Sequence, residues 1–155
     1  MITVFTWEFL IEVLFAGIGT VAFSVLFFVP RKFYGFCGIC GAAGWIIYSL
    51  CTEMGSSAEE ATFYATLAVI FLSRLFAVME QCPATLFLIP GIFPLVPGAG
   101  VYWTSYYIVT DDLTLASDTG FTSLKVAAAI VLGIIFVFEI PQDFFAVLAG
   151  RKKRV

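Results

Sequence analysis

The stretch Ile89–Tyr102, IPGIFPLVPGAGVY, places three prolines and three glycines inside one of the most apolar parts of the chain. Each proline lacks an N–H and clashes with the carbonyl oxygen four residues before it. Pro94 and Pro97 therefore cannot both fit one regular hydrogen-bonded helix. The pattern predicts two half-helices, joined by backbone that is non-helical or sharply kinked from Pro90 to Gly98.

The composition of the chain predicts a membrane protein. Of its 155 residues, 61% are hydrophobic and only 12% are charged, whereas about one quarter of a soluble domain is charged. A chain this short has too little interior to hide so much apolar surface from water. We therefore expect an all-α polytopic membrane protein, in which residues 1–155 form a single transmembrane domain.

Five apolar segments approach the roughly 20 residues that one crossing requires. The fourth holds the Pro/Gly motif, and Pro141 breaks the fifth. The predicted spans are residues 7–29, 33–50, 61–79, 84–109 and 121–149.

The loop charges predict the orientation of these spans. Arg31 and Lys32 lie between the first two spans, and a basic tail, Arg151–Arg154, follows the fifth. Most acidic loop residues lie in the other connections. Because cytoplasmic loops carry an excess of Lys and Arg, we expect the N-terminus outside and the C-terminus in the cytoplasm.

The broken span is the predicted substrate site, at mid-membrane. Irregular backbone at this depth is tolerated where it is buried in protein or lines a wet cavity. A half-helix starting after Pro97 would present free N–H groups and a positive dipole end to an anion such as a carboxylate. Transporters use discontinuous helices in this way, although a kinked helix without a ligand is the alternative. The predicted substrate-binding residues are Pro90, Gly91, Pro94, Pro97, Gly98, Ala99, Gly100 and Arg74.

Two ionisable groups inside the spans form a predicted charge pair. Arg74 in the third span and Glu139 in the fifth reach a similar depth, and pairing would neutralise two charges that are costly alone. Arg74 could instead contact the substrate or extend toward the headgroups. Glu139 is the candidate proton carrier.

Other classes of function find little support. The sequence contains no His and no group of residues typical of nucleophilic catalysis. We therefore expect that the protein is not an enzyme and binds no metal or cofactor. Cys37 and Cys40 form a C-x-x-C, for which packing is preferred to a membrane redox role. The tail is the only run of more than two basic residues in the sequence, so nucleic-acid binding has no support.

Three segments carry a resemblance to a known family. FFVPRKFYGFCGICGAAGW (27–45), ATFYATLAVIFLSR (61–74) and IPGIFPLVPG (89–98) resemble the threonine/serine exporter family. The likeness is to its short subunits, which correspond to the C-terminal half of full-length exporters. Such subunits are thought to act with a second, longer membrane protein, and one bacterial pair is associated with succinate export.

The resemblance implies a subunit of a secondary exporter in the bacterial plasma membrane. Threonine or serine is the first expected cargo, and a dicarboxylate such as succinate is the second. The expected partners are a longer subunit of the same family, the small carboxylate, the lipid bilayer and further copies of this chain. A non-transporting assembly subunit is the alternative function.

Overall fold

The computed structural model describes residues 7–150, which form helices and connecting turns without any strand. This architecture confirms the all-α prediction. The basic tail used to predict orientation lies outside the described residues, so the orientation stays a prediction. The helices are α1 (Trp7–Leu26), α2 (Tyr34–Glu53), α3 (Ala58–Glu80), α4 (Thr85–Ile92), α5 (Gly98–Val109), α6 (Leu113–Phe138) and α7 (Gln142–Leu148), with 3-10 turns at Arg31–Phe33 and Phe93–Leu95.

Four helices are long and apolar enough to cross a membrane alone: α1, α2 with the turn before it, α3 and α6. Thr85–Leu95 and α5 meet at an angle of 54° and together are long and apolar enough to count as a fifth span, if this bent pair crosses as one unit. The prediction of about five spans with a broken fourth is therefore confirmed. The helix of the fifth span starts at Leu113, well before residue 121, because the Asp112 side chain caps it by accepting from the Leu115 N–H at 3.2 Å.

Helices α2 and α3 form the centre of the bundle. α1 packs on α2, α6 packs on α3, and α4 lies against both central helices. Glycines permit the closest approaches: Gly41 faces the side chain of Thr20, and Gly91 lies between Val69 and Cys40. In lipid, such small residues let helix backbones pack closely.

We expect Gly41→Ala to destabilise the bundle, because the added methyl group would overlap the side chain of Thr20 on α1. Overpacking of this kind costs about 1–3 kcal/mol. Gly35→Ala is the matched control, since nothing lies within 4 Å of its added methyl group and alanine favours helix. Thermal unfolding in detergent should give a lower midpoint for Gly41→Ala only; equal midpoints would contradict this packing.

Candidate functional site

The break in the fourth span is shorter than the sequence suggests. Pro90 lies inside α4, and the chain stays helical through the 3-10 turn that ends at Leu95. Only Val96, which is extended (φ −65°, ψ 131°), and Pro97 (φ −75°, ψ 57°) separate this turn from α5. The expected sharp kink between Pro90 and Gly98 is present as the 54° bend, but non-helical backbone is limited to Val96 and Pro97.

The helix survives Pro90 and Pro94 because the carbonyl groups that prolines leave free find other donors. Pro90 cannot donate to the Leu86 carbonyl, which accepts instead from Cys37 Sγ at 3.4 Å. The Pro90 carbonyl, four residues before Pro94, accepts from the Phe93 N–H. The Phe93 carbonyl, four residues before Pro97, accepts from the Val96 N–H at 3.2 Å. The tighter 3-10 bonds therefore accommodate Pro94 within the turn, whereas the helix is interrupted at Pro97.

An open cleft of about 360 Å³, which we call the polar cavity, lies beside the first turn of α5; most of its surface is apolar, but four polar side chains border it. Pro97 and Gly100 form one side of it, and one face of α6 forms the other. α5 and α6 approach closely here, since a methyl group on Gly100 would overlap the Ser123 hydroxyl. The α6 residues that line the cavity are Asp118, Thr119, Thr122, Ser123 and Val126.

The side chains of this cavity on α6 present acceptors. Three hydroxyls donate their single proton to carbonyls of their own helix: Thr119 to Leu115 (2.8 Å), Thr122 to Asp118 (2.9 Å) and Ser123 to Thr119 (2.8 Å). Each hydroxyl oxygen then keeps a lone pair for a ligand. Among residues 7–150, the exposed Asp118 carboxylate has no lysine or arginine partner.

The opposite side of the cavity, at the start of α5, presents donors. The first N–H groups of a helix have no partner inside it. The Gly98 N–H bonds to the Val96 carbonyl and the Val101 N–H to the Pro97 carbonyl. Within the described part of the chain, the Ala99 and Gly100 N–H groups have no such partner. Of these two residues, only Gly100 lines the cavity, and Ala99 is exposed beside it.

The helix register places this cavity toward one end of the bundle. Gly133 on α6 packs against Thr66 on α3, while Lys125 pairs with Glu59 in the first turn of α3 at 3.8 Å. Ser123, opposite Gly100, lies beyond this pair. Leu95, directly before the break, lies against Gly44 in the middle of α2. The mid-membrane depth of the break stays a prediction.

The predicted motif residues occupy three different environments. Pro90 and Gly91 are buried in the helix packing, whereas Gly98 and Ala99 are exposed at the start of α5. Pro94 lines a separate, mainly apolar cleft of about 360 Å³ against α1 and α2. In that cleft the Trp45 indole donates to the Glu12 carboxylate at 3.2 Å. Only Pro97 and Gly100 of the motif line the polar cavity.

Arg74 lies at the other end of α6, where it contacts backbone oxygens. Its Nη1 donates to the carbonyls of Val137, Phe138 (3.4 Å) and Ile140 (2.7 Å). Pro141 cannot donate to the Val137 carbonyl, so Arg74 supplies a donor there. The guanidinium also lies 4.4 Å from the centre of the buried Phe145 ring of α7. Arg74 thus connects α3, the end of α6 and α7.

This placement separates Arg74 from the polar cavity and from its expected partner. Ser123 and Val137 are about 21 Å apart along α6 at about 1.5 Å per residue. Among residues 7–150, the contacts of Arg74 are with carbonyls on either side of Glu139 and with aromatic rings, and none is with the exposed Glu139 carboxylate. The two residues share a level without forming an ion pair.

Both cysteines of the C-x-x-C are free thiols, fully buried in the core. Cys37 covers the Leu86 carbonyl, and the Ser73 hydroxyl lies 3.8 Å from the Cys40 sulfur. This environment favours the packing interpretation over redox exchange, which needs access to a second thiol or disulfide. No group of three or more His, Cys, Asp or Glu side chains that could hold a metal ion occurs in residues 7–150.

The sequence analysis does not identify the α6 side of the cavity, because it predicts that the fifth span begins only at residue 121, after Asp118 and Thr119. A signal was nevertheless present. Asp118, Thr119, Thr122 and Ser123 follow an i, i+1, i+4, i+5 spacing, which puts them on one face of a helix. A polar face at the start of an apolar helix indicates contact with water or with a polar ligand.

Comparison with known proteins places this architecture in a family. Residues 12–140 match the family described as "Threonine/Serine exporter, ThrE". An uncharacterized protein of Haemophilus influenzae is 32% identical over 93% of this chain and 50% of its own length. A probable threonine/serine exporter of Mycobacterium tuberculosis is 26% identical over 81% of this chain and 23% of its own length.

The chain therefore spans half or less of these two relatives. No solved structure matches it significantly. The family match covers most of the chain, including the broken span and the polar face of α6. The chain belongs to the threonine/serine exporter family.

Proposed function

We propose that the chain is the short membrane subunit of a secondary exporter for small carboxylates. The observation that carries this proposal is the polar cavity at the broken fourth span, which is lined by Gly100, with its unpartnered N–H, and by hydroxyls and a carboxylate of α6. Donors at the start of a helix favour an anionic group. Ala99 and Gly100 are the proposed carboxylate donors, and exposed Gly98 leaves space for the ligand.

A second, longer subunit of the same family is the proposed partner, in the bacterial plasma membrane. The chain covers only half of its Haemophilus relative, which supports a transporter made of more than this one segment. Large apolar surfaces also stay uncovered, including a groove of about 690 Å³ between α2, α3 and α6. Partner helices, lipid or further copies of the chain would cover such a surface.

Threonine and serine are the proposed first cargo, because the mycobacterial relative is named a probable threonine/serine exporter. A dicarboxylate such as succinate is the alternative cargo. A non-transporting assembly subunit is the alternative role.

Arg74 is assigned to helix packing in this proposal, since its guanidinium is held by carbonyls remote from the cavity. Glu139 stays the candidate proton carrier on the basis of its position alone.

Export measurements test the proposal directly. Radiolabelled L-threonine, L-serine and succinate would be loaded into vesicles containing this chain, the longer subunit or both. We expect efflux of at least one of these acids only when both chains are present. Co-purification measures assembly separately. Efflux by this chain alone would contradict the two-subunit proposal, and assembly without any efflux would support the non-transporting alternative.

A further inference from the structure

We infer that the turn between α1 and α2 binds an anionic phospholipid, with the Phe28 ring among the acyl chains and with Arg31 and Lys32 on the phosphate. This inference does not depend on the proposed cargo. It starts from the backbone of Phe28, where φ is 55°. A bulky residue is unfavourable in this left-handed conformation, in which glycine and asparagine are common.

The hydrogen bonds at the end of α1 explain why the chain adopts this conformation. The Val29 N–H bonds to the Ser24 carbonyl at 3.0 Å. The Phe28 N–H bonds to the Val25 carbonyl at 3.1 Å. These two bonds form a Schellman motif, which ends a helix with one left-handed residue, usually glycine. Val29 is buried behind the motif, so the turn is fixed in place while Phe28 points away from the bundle.

Nothing inside the bundle compensates for the conformation of Phe28, because this residue is 93% exposed. The other non-glycine residues with a positive φ in the described part of the chain, Gln81 and Asp111, are polar. Residues 27–30 join two segments that are apolar enough to span, Trp7–Leu26 and the one that begins at Arg31. The turn therefore lies where the chain leaves the membrane. At that level the acyl chains of a lipid can cover the ring, and burial of its apolar surface is favourable.

Two cations supply the other half of the site. Arg31 and Lys32 are exposed, and neither forms a salt bridge within residues 7–150. The Lys32 Nζ lies 4.4 Å from the centre of the Phe33 ring. That ring is buried and packs edge-on against the ring of Phe87, with 5.3 Å between their centres. The lysine therefore rests on a fixed surface. Adjacent cations complement the phosphate of a lipid, and Lys and Arg near a membrane attract anionic headgroups.

Lipid retention measures this site directly. The purified chain would be incubated in neutral detergent with equal amounts of phosphatidylglycerol and phosphatidylcholine that carry the same acyl chains, and the bound lipids would be counted. We expect the wild type to prefer phosphatidylglycerol, and Arg31→Gln and Lys32→Gln each to lower this preference about fivefold. Lys125→Gln is the matched control, because its exposed charge pairs with Glu59 at the start of α3. The basic tail is the same in every variant, so its contribution is common to all.

Phe28→Asn tests the ring separately, since asparagine tolerates the left-handed conformation. Without lipid, the thermal midpoint of this variant in detergent should equal or exceed that of the wild type, because the ring has no contact to lose within the bundle. The variant should retain less of both lipids, with its preference for phosphatidylglycerol unchanged. A lower midpoint without lipid would show that the ring packs inside the protein, which contradicts the inference.

Four other results would overturn the inference. The first is equal retention of the two lipids by the wild type, and the second is an unchanged preference when Arg31→Gln and Lys32→Gln are combined. The third is an equal loss of preference in Lys125→Gln, which would mean that only the net charge of the chain matters. The fourth is displacement of bound phosphatidylglycerol by the same concentration of soluble glycerol phosphate, which would identify a site for free phosphate instead of a lipid.

Discussion

Arg74→Ala is expected to lower the free energy of unfolding by about 3 kcal/mol, because it removes charged hydrogen bonds worth about 1.5–3 kcal/mol each. The guanidinium holds the carbonyls of Val137 and Ile140 at the end of α6. Without it, these groups would face apolar surroundings with fewer donors. Unfolding in detergent measures the loss, and protease cleavage within α7 should become faster.

Lys125→Ala is the control for the Arg74 variant, since it also removes one positive charge. Its pair with Glu59 is exposed at the surface (58% and 34% of the two side chains), where an ion pair contributes about 0–1 kcal/mol. The loss of unfolding free energy for Arg74→Lys should lie between those of Arg74→Ala and Lys125→Ala. An ammonium group lacks the planar guanidinium, which can donate to several carbonyls at once. If Arg74→Ala unfolds like the wild type but loses export, Arg74 acts on the substrate or its coupling ion, as the sequence suggested.

The prolines show what the sequence could predict about the fold. Pro97 and Pro141 both lie at interruptions between helices, directly before α5 and α7, as their chemistry favours. Pro90, however, stays inside α4. The sequence could not predict this difference, because the donor to the carbonyl freed by Pro90 is the thiol of Cys37, which is 49 residues away along the chain.

Arg74 shows that the sequence likewise could not predict which groups a side chain in the bundle contacts. Its depth next to Glu139 followed from counting residues along two spans, and the structure does bring it to that level. The choice between a carboxylate and carbonyls as its partner depends on how α3 and α6 rotate about their axes. Hydropathy along the chain does not record that rotation. The pairing of Gly100 with Ser123, which defines the cavity, depends on the packing of α5 against α6 for the same reason.

Gly98→Val is expected to reduce export by about tenfold or more while leaving the fold and the partner contact intact. A side chain at Gly98 would point into open space, with nothing within 4 Å. Valine therefore causes no clash within the chain, but it places an apolar group next to the free N–H groups of Ala99 and Gly100. A carboxylate could no longer approach them closely, and each charged hydrogen bond lost costs about 1.5–3 kcal/mol.

Gly35→Val is the matched control for this experiment. Gly35 is the second residue of α2, lies at the other end of the bundle from the cavity and also has nothing within 4 Å of an added side chain. Both variants carry the same valine near the start of a helix, so a general effect of valine there would appear in both. Efflux from vesicles and co-purification with the longer subunit should be measured together. If Gly98→Val assembles and exports like Gly35→Val, the start of α5 does not bind the carboxylate, and a packing role for the Pro/Gly motif is favoured.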